Sequence, residues 1–181
     1  MEVLHRTPDL PVLELATPAT AEEGERYLII SVASAEYGVP LEHLAGVERI
    51  GPVAVVPHGP LWLWGLTNIH GHVLPVADLA AFLGLGRVSR SSAARLIVAR
   101  GEDEGYAFAV ERTGRLIRIP PGGIRAAGSM LPGTLAGYFR GVWLHEERPA
   151  LPLLDLWHVA RSLDAWFRAE GWNDDGLATN S

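Results

Sequence analysis

The pattern Leu-Pro-x-x-Asp-Leu occurs twice, as Leu74-Pro-Val-Ala-Asp-Leu79 and as Leu151-Pro-Leu-Leu-Asp-Leu156, and both copies stand at the same kind of junction. Before the first copy, Leu63, Gly65 and Leu66 lead along a short apolar strand. His70-Gly71 supplies a tight turn, and His72 to Val76 return. Asp78 then stands where an N-cap belongs, its carboxylate placed to accept amide hydrogens of a first helical turn. A helix over 79–83 would stop at Gly84. Before the second copy, Tyr138 to Leu144 and Ala150 to Leu154 predict a hairpin around His145-Glu-Glu-Arg148. Asp155 opens a helix whose apolar residues Leu156, Val159, Ala160, Leu163 and Phe167 share one face. A hairpin, a proline and an aspartate-capped helix, repeated, predict two similar halves packed together.

The rest of the chain fits around these units. Residues 1–25 carry Pro8, Pro11 and Pro18 and read as a flexible leader, with one apolar fragment, Val12-Leu13-Glu14-Leu15. Tyr27-Leu-Ile-Ile-Ser-Val-Ala33 is apolar almost throughout, as a strand buried on both faces would be; Ser34-Ala35-Glu36 turns it and Tyr37-Gly-Val-Pro40 returns. One helical turn is expected over 41–44, then extended chain over 46–50 and 53–57. After the polar joint 86–92 the strand pattern restarts at 94–99, 106–110 and 116–119, with Glu102, Asp103 and Glu104 in a solvated turn. The expected organisation is approximate halves 26–90 and 91–168, with strands open to exchange between them, and a polar tail over 169–181. Many short strands and few helices predict a mainly β fold, two small barrels or sandwiches.

Composition removes several functions. The 181 residues carry a net charge of −6 without a basic cluster, which argues against a nucleic-acid partner. The absence of cysteine excludes disulfides, thiolate metal sites and a cysteine nucleophile. No apolar run approaches the ~20 residues of a membrane span, and the N-terminus lacks the layout of a signal peptide, so a soluble, cytoplasmic protein is expected. His70 and His72, at i and i+2 on a strand, would face the same way, and a zinc site would recruit Asp78 or His145 as a third ligand. A polar hairpin tip explains the pair without metal. No Gly-x-Ser-x-Gly elbow is present, and Gly84-x-Gly86 follows a helix, so neither a hydrolase elbow nor a dinucleotide loop is indicated.

Gly65-Leu-Thr-Asn-Ile-His-Gly-His-Val-Leu-Pro-Val-Ala-Asp-Leu79 resembles the signature Gly-x-x-Asn-Leu-Arg-Gly-x-x-x-Pro-x-x-Asp-Leu of CheW-like proteins, and the strand at Tyr27, the Glu36-Tyr37-Gly38 run and Pro57 fall where that family has its opening hairpin and its proline. The resemblance covers about 26–167. It implies two packed SH3-like five-stranded β-barrels and a non-enzymatic adaptor in a bacterial chemosensory array. The implied partners are the cytoplasmic tips of methyl-accepting chemoreceptors and the regulatory domain of a CheA-type histidine kinase, with no cofactor and no catalytic residue. In the family the kinase docks on an edge of the first barrel and the receptor tip in the groove between barrels.

Two positions depart from the family pattern. Its arginine before the hairpin glycine is His70 here, and the glutamate of its Val-x-Glu-Ile strand is Gly46 within Leu44-Ala45-Gly46-Val47. A retained fold with diverged partner contacts is therefore expected, and one alternative is a protein that binds receptors while its kinase contact is weakened or lost. A small-ligand or metal-dependent enzyme on the same barrels is the reading from another class. Leu44, Gly46, Val47 and Ile50 are candidates for the partner edge, with ordinary edge packing as the other account. Ile69, His70 and Gly71 are candidates at the hairpin tip. Gly65, Asn68, Pro75, Asp78, Leu79, Pro152 and Asp155 are expected to build the motif itself. Trp62 and Trp64 alternate along a strand, so one is expected buried and one exposed, unless both pack between the barrels.

Overall fold

In the computed structural model, which describes residues 24–101, 105–127, 131, 133–145 and 148–170, the apolar run after Glu25 becomes β1 (Glu25–Val32) and is buried on both faces. Tyr27 and Ile29 join Ile119, Leu151 and Leu153 in a small core. Leu28, Ile30 and Val32 join a larger one that runs through to Trp64, Phe108 and Leu163. One strand thus serves two cores, which is why it carries no polar alternation. The turn to β2 (Ala35–Pro40) lies at Ala33-Ser34, both at positive φ, one residue earlier than the sequence suggests.

A 3-10 turn, Leu41–His43, carries the chain across to the second sheet, where β3 (Leu44–Arg49), β4 (Leu63–Ile69), β5 (His72–Asp78), β6 (Arg95–Ala99) and β7 (Ala107–Val110) lie. The chain then returns to the first sheet with β8 (Arg112–Ile119), β9 (Ile124–Arg125), β10 (Phe139–His145) and β11 (Arg148–Leu154). The orders are β8-β1-β2-β11-β10-β9 and β3-β6-β7-β5-β4. Sheet membership therefore changes between Pro40 and Leu44 and again between Val110 and Arg112, so the halves 26–90 and 91–168 each contribute to both sheets. The first sheet has a sixth strand, the two-residue β9. Residues 53–57 form no strand; Ala54 alone bridges to Leu66, with two 2.8 Å backbone bonds.

The repeated motif is built alike in both sheets. Asp78 caps α1 (Leu79–Phe82), accepting from the Ala81 amide at 3.0 Å, and Asp155 caps α2 (Leu156–Ala169), accepting from the His158 amide at 2.9 Å. Pro75 pairs with Leu66 and Pro152 with Val142, and neither can donate to a third strand. The parallel ladders to the next strand accordingly begin just beyond them, at Val76–Ala107 and at Leu153–Gly38. Gly65 and Gly141 each follow a bulge, at φ +137° and +154°; a Cβ would stand 2.0 Å from the Ala54 carbonyl oxygen and 2.4 Å from that of Arg125. Only glycine fits either place.

Candidate partner-docking site

The two sheets meet along the 3-10 turn, and there they leave a cavity of about 480 Å³. β3 supplies Leu44, Gly46 and Val47 to its wall, the 3-10 turn supplies Leu41 and Glu42, and Arg26 and Arg100 reach it from β1 and from the end of β6. Three sequence candidates are thus brought together. Leu44 is buried and Val47 is 41% exposed, so one anchors the strand in the core while the other offers apolar surface. Ile50, expected on the same edge, is instead half-buried against the larger core.

The hairpin tip closes over the far end of β3. Asn68 Oδ1 accepts the Gly71 amide at 2.9 Å, and His70 and Gly71 both adopt positive φ, 52° and 92°. That geometry suits the twist of the flanking strands. His70 is thereby pushed outward, 78% exposed, with Nε2 3.6 Å from Oε1 of Glu48. Ile69 turns the other way and packs, half-buried, on the larger core. Glu48 was not among the expected site residues. It lies two positions beyond Gly46 on the same face of β3, and a Cβ on Gly46 would stand 3.7 Å from its Oε1. The carboxylate absent at 46 is present at 48, and strand periodicity could have found it.

Beside the cavity a cluster of polar side chains surrounds one buried histidine. His43 is 2% exposed, its ring stacked on Trp157 at 3.8 Å between centroids, and its Nδ1 has no hydrogen-bond partner among the described residues. Asp155 Oδ1 is 3.8 Å from that nitrogen and Glu42 Oε1 is 3.8 Å from Nε2. Arg140 bridges Glu25 at 2.9 Å and Glu42 at 3.7 Å. Loss of hydration holds the His43 pKa below the usual histidine value; Asp155 opposes this, Arg140 reinforces it, and Glu42 and Glu25 oppose it weakly. Burial, helped by its hydrogen bond to Glu25, raises the Tyr27 phenol.

The metal arrangement considered from the sequence does not assemble. His70 is a turn residue, so it does not share a strand face with His72, and Asp78 is fully buried with both oxygens engaged. They accept from the Ala81 amide, the Val88 amide at 3.2 and 3.1 Å, and Trp64 Nε1 at 3.2 Å. Trp64 is buried under Arg90, 4.2 Å from its ring. Trp62 is not an exposed anchor; it packs edge-on to Phe82, Trp166 and Phe167. Residues 102–104 lie outside the described residues.

The model of the CheW-like domain matches residues 26–164. The chain is 34% identical to protein FrzA of Myxococcus xanthus over 83 residues, 46% of this chain and 52% of that one, so the match spans about half of FrzA's length. It is 24% identical to the probable chemotaxis protein CheW of Rhizobium etli over 70% of this chain and 82% of that one. Its fold matches the crystal structure of the scaffolding protein TtCheW from Thermoanaerobacter tengcongensis with a TM-score of 0.63, at 19% identity, over 74% of this chain and 85% of that one. The two packed, mainly β sheets are therefore SH3-like subdomains of that architecture, and the chain belongs to the CheW-like family.

Proposed function

We propose that this chain, acting through residues 26–168, is a non-enzymatic adaptor of a bacterial chemosensory system that couples chemoreceptor tips to the regulatory domain of a CheA-type histidine kinase in the cytoplasm. An adaptor needs two partner surfaces held in fixed relation. The observation that carries the reading is the reach of β3: Leu44 to Val47 wall the cavity between the sheets, and the next residue, Glu48, meets His70 of the hairpin tip. The cavity, bounded by both sheets, is the receptor surface in this reading, and the hairpin tip with Glu48 is the kinase surface. No helix among the described residues is long and apolar enough to cross a membrane.

A second reading keeps the receptor and loses the kinase. It is favoured by the His70–Glu48 contact, which is an ion pair only when the exposed imidazole is protonated, whereas an arginine would hold its charge at any physiological pH. Titration calorimetry of the purified chain against a CheA-type regulatory domain and against a receptor-tip hairpin from the same source tests both. A micromolar dissociation constant for each, about −8 kcal/mol, is the expected result. Binding of the hairpin alone would select the second reading, and binding of neither would end both.

A further inference from the structure

We infer that Arg26 and Arg100 make the cavity between the sheets selective for an acidic, amphipathic segment of the partner, so that the receptor tip it accepts presents carboxylates beside an apolar contact. The inference rests on the adaptor reading and adds the chemistry by which the partner is chosen.

The chain as a whole is acidic, at −6, yet the charged residues at this cavity are two arginines and one glutamate. The glutamate pairs loosely with Arg140, 3.7 Å from Glu42 Oε1, and the two arginines outnumber it. Arg100 is fixed in place: its amide donates to the His43 carbonyl at 2.8 Å and its Nη2 to the Leu44 carbonyl at 3.2 Å. A guanidinium has five donors, so this one keeps most of them for a ligand. Arg26 stands exposed on β1 and lines the cavity. The same cavity wall carries Leu41, Leu44 and the exposed Val47. A small inorganic anion would satisfy the arginines and leave that apolar wall in water. A protein segment that carries carboxylates next to an apolar residue would cover both, and the charges would set its register and its encounter rate more than its total affinity.

The test uses the full chain and a receptor-tip helical hairpin, in its native form and with its surface glutamates changed to glutamine. Arg26→Glu should weaken binding of the native hairpin about tenfold, while Arg26→Lys, and Arg115→Glu elsewhere on β8, should stay within about twofold. Wild-type affinity for the native hairpin should fall as salt is raised, and the glutamine hairpin should bind weakly and not distinguish wild type from Arg26→Glu. Circular dichroism establishes that each variant is folded. Equal binding by wild type and Arg26→Glu would overturn this inference and leave the adaptor reading standing; no binding by folded wild type would overturn both. If removal of residues 1–23, which include Asp9 and Glu14, tightened binding and made Arg26→Glu neutral, the cations would serve that segment of the chain, and the proposal would again fall.

Discussion

The two hairpin-and-cap units are close structural copies that have been put to different use. In each, the capping aspartate's amide donates to the residue just before the first strand, Asp78 to the Trp62 carbonyl at 2.6 Å and Asp155 to the Tyr138 carbonyl at 2.8 Å. In each, a positive-φ glycine sits after a bulge against a neighbouring carbonyl. The units part at the carboxylate. Asp78 is sealed in, tied to the cap, to the Val88 amide and to the Trp64 indole, so it fastens the 86–92 joint to the second sheet. Asp155 is 29% exposed and looks toward His43, beside the cavity. One copy of the motif has become structure, and the other lies beside a candidate partner surface.

The difference is largest in stability. Asp78→Ala removes a cap and leaves two buried donors without an acceptor, and should cost about 3–4 kcal/mol in urea unfolding. Asp155→Ala removes a half-exposed cap and should cost about 1 kcal/mol. Equal costs would mean that the burial of Asp78 contributes nothing beyond capping and that the two aspartates do the same work.

The glycines measure how far the copies agree. An alanine at Gly65 must displace the Ala54 carbonyl and hold a backbone angle that L residues resist, at a cost of about 3 kcal/mol. Gly141→Ala meets the Arg125 carbonyl at a slightly greater distance, 2.4 against 2.0 Å, and should cost about 2 kcal/mol. A neutral result at either position, read from the unfolding midpoint, would show that its bulge can relax.

Much of this was legible from local chemistry. The caps at Asp78 and Asp155, the His70-Gly71 turn and the double burial of β1 follow from side chains acting on their own neighbourhood. The pairing of strands was not, because β1 and β2 are joined to β8 and β11 by contacts between residues far apart in the chain, and no local signal says which of two similar sheets a strand will enter. The 53–57 stretch looks extended in sequence, but beside β4 only Ala54 finds a partner. The cations of the cavity, Arg26 and Arg100, are brought together only when β1 and β6 are in place. Glu48 was within reach, since it shares a strand face with Gly46.

The second unit should also respond to pH where the first does not through this route. His43 is held neutral in the folded chain, while in the unfolded chain it protonates near pH 6.5. Below about 6.5 the unfolded state therefore binds the extra proton first, and stability is lost as pH falls through the window down to the folded pKa, then stays level. The groups facing the ring are Glu42 on the 3-10 turn, Glu25 on β1, Arg140 on β10 and Asp155 at α2. His43→Gln should flatten the unfolding profile between pH 7.5 and 5, and Asp155→Asn should steepen it by removing the largest group that favours the proton.

The smallest effect concerns the tip of the first unit. Exchange of both His70 and Gly46 for the family's arginine and glutamate would place two carboxylates on one face of β3, because Glu48 already stands there. His70→Arg alone supplies a permanent, bidentate partner to Glu48 without that repulsion. It should tighten binding of a CheA-type regulatory domain about threefold to fivefold, the worth of one exposed charge pair, while receptor-tip affinity changes less because neither His70 nor Glu48 lines the cavity. The Gly46→Glu, His70→Arg double variant should gain less than the single one. If the double variant binds the kinase domain more tightly than His70→Arg, then Glu48 does not stand in for the missing glutamate.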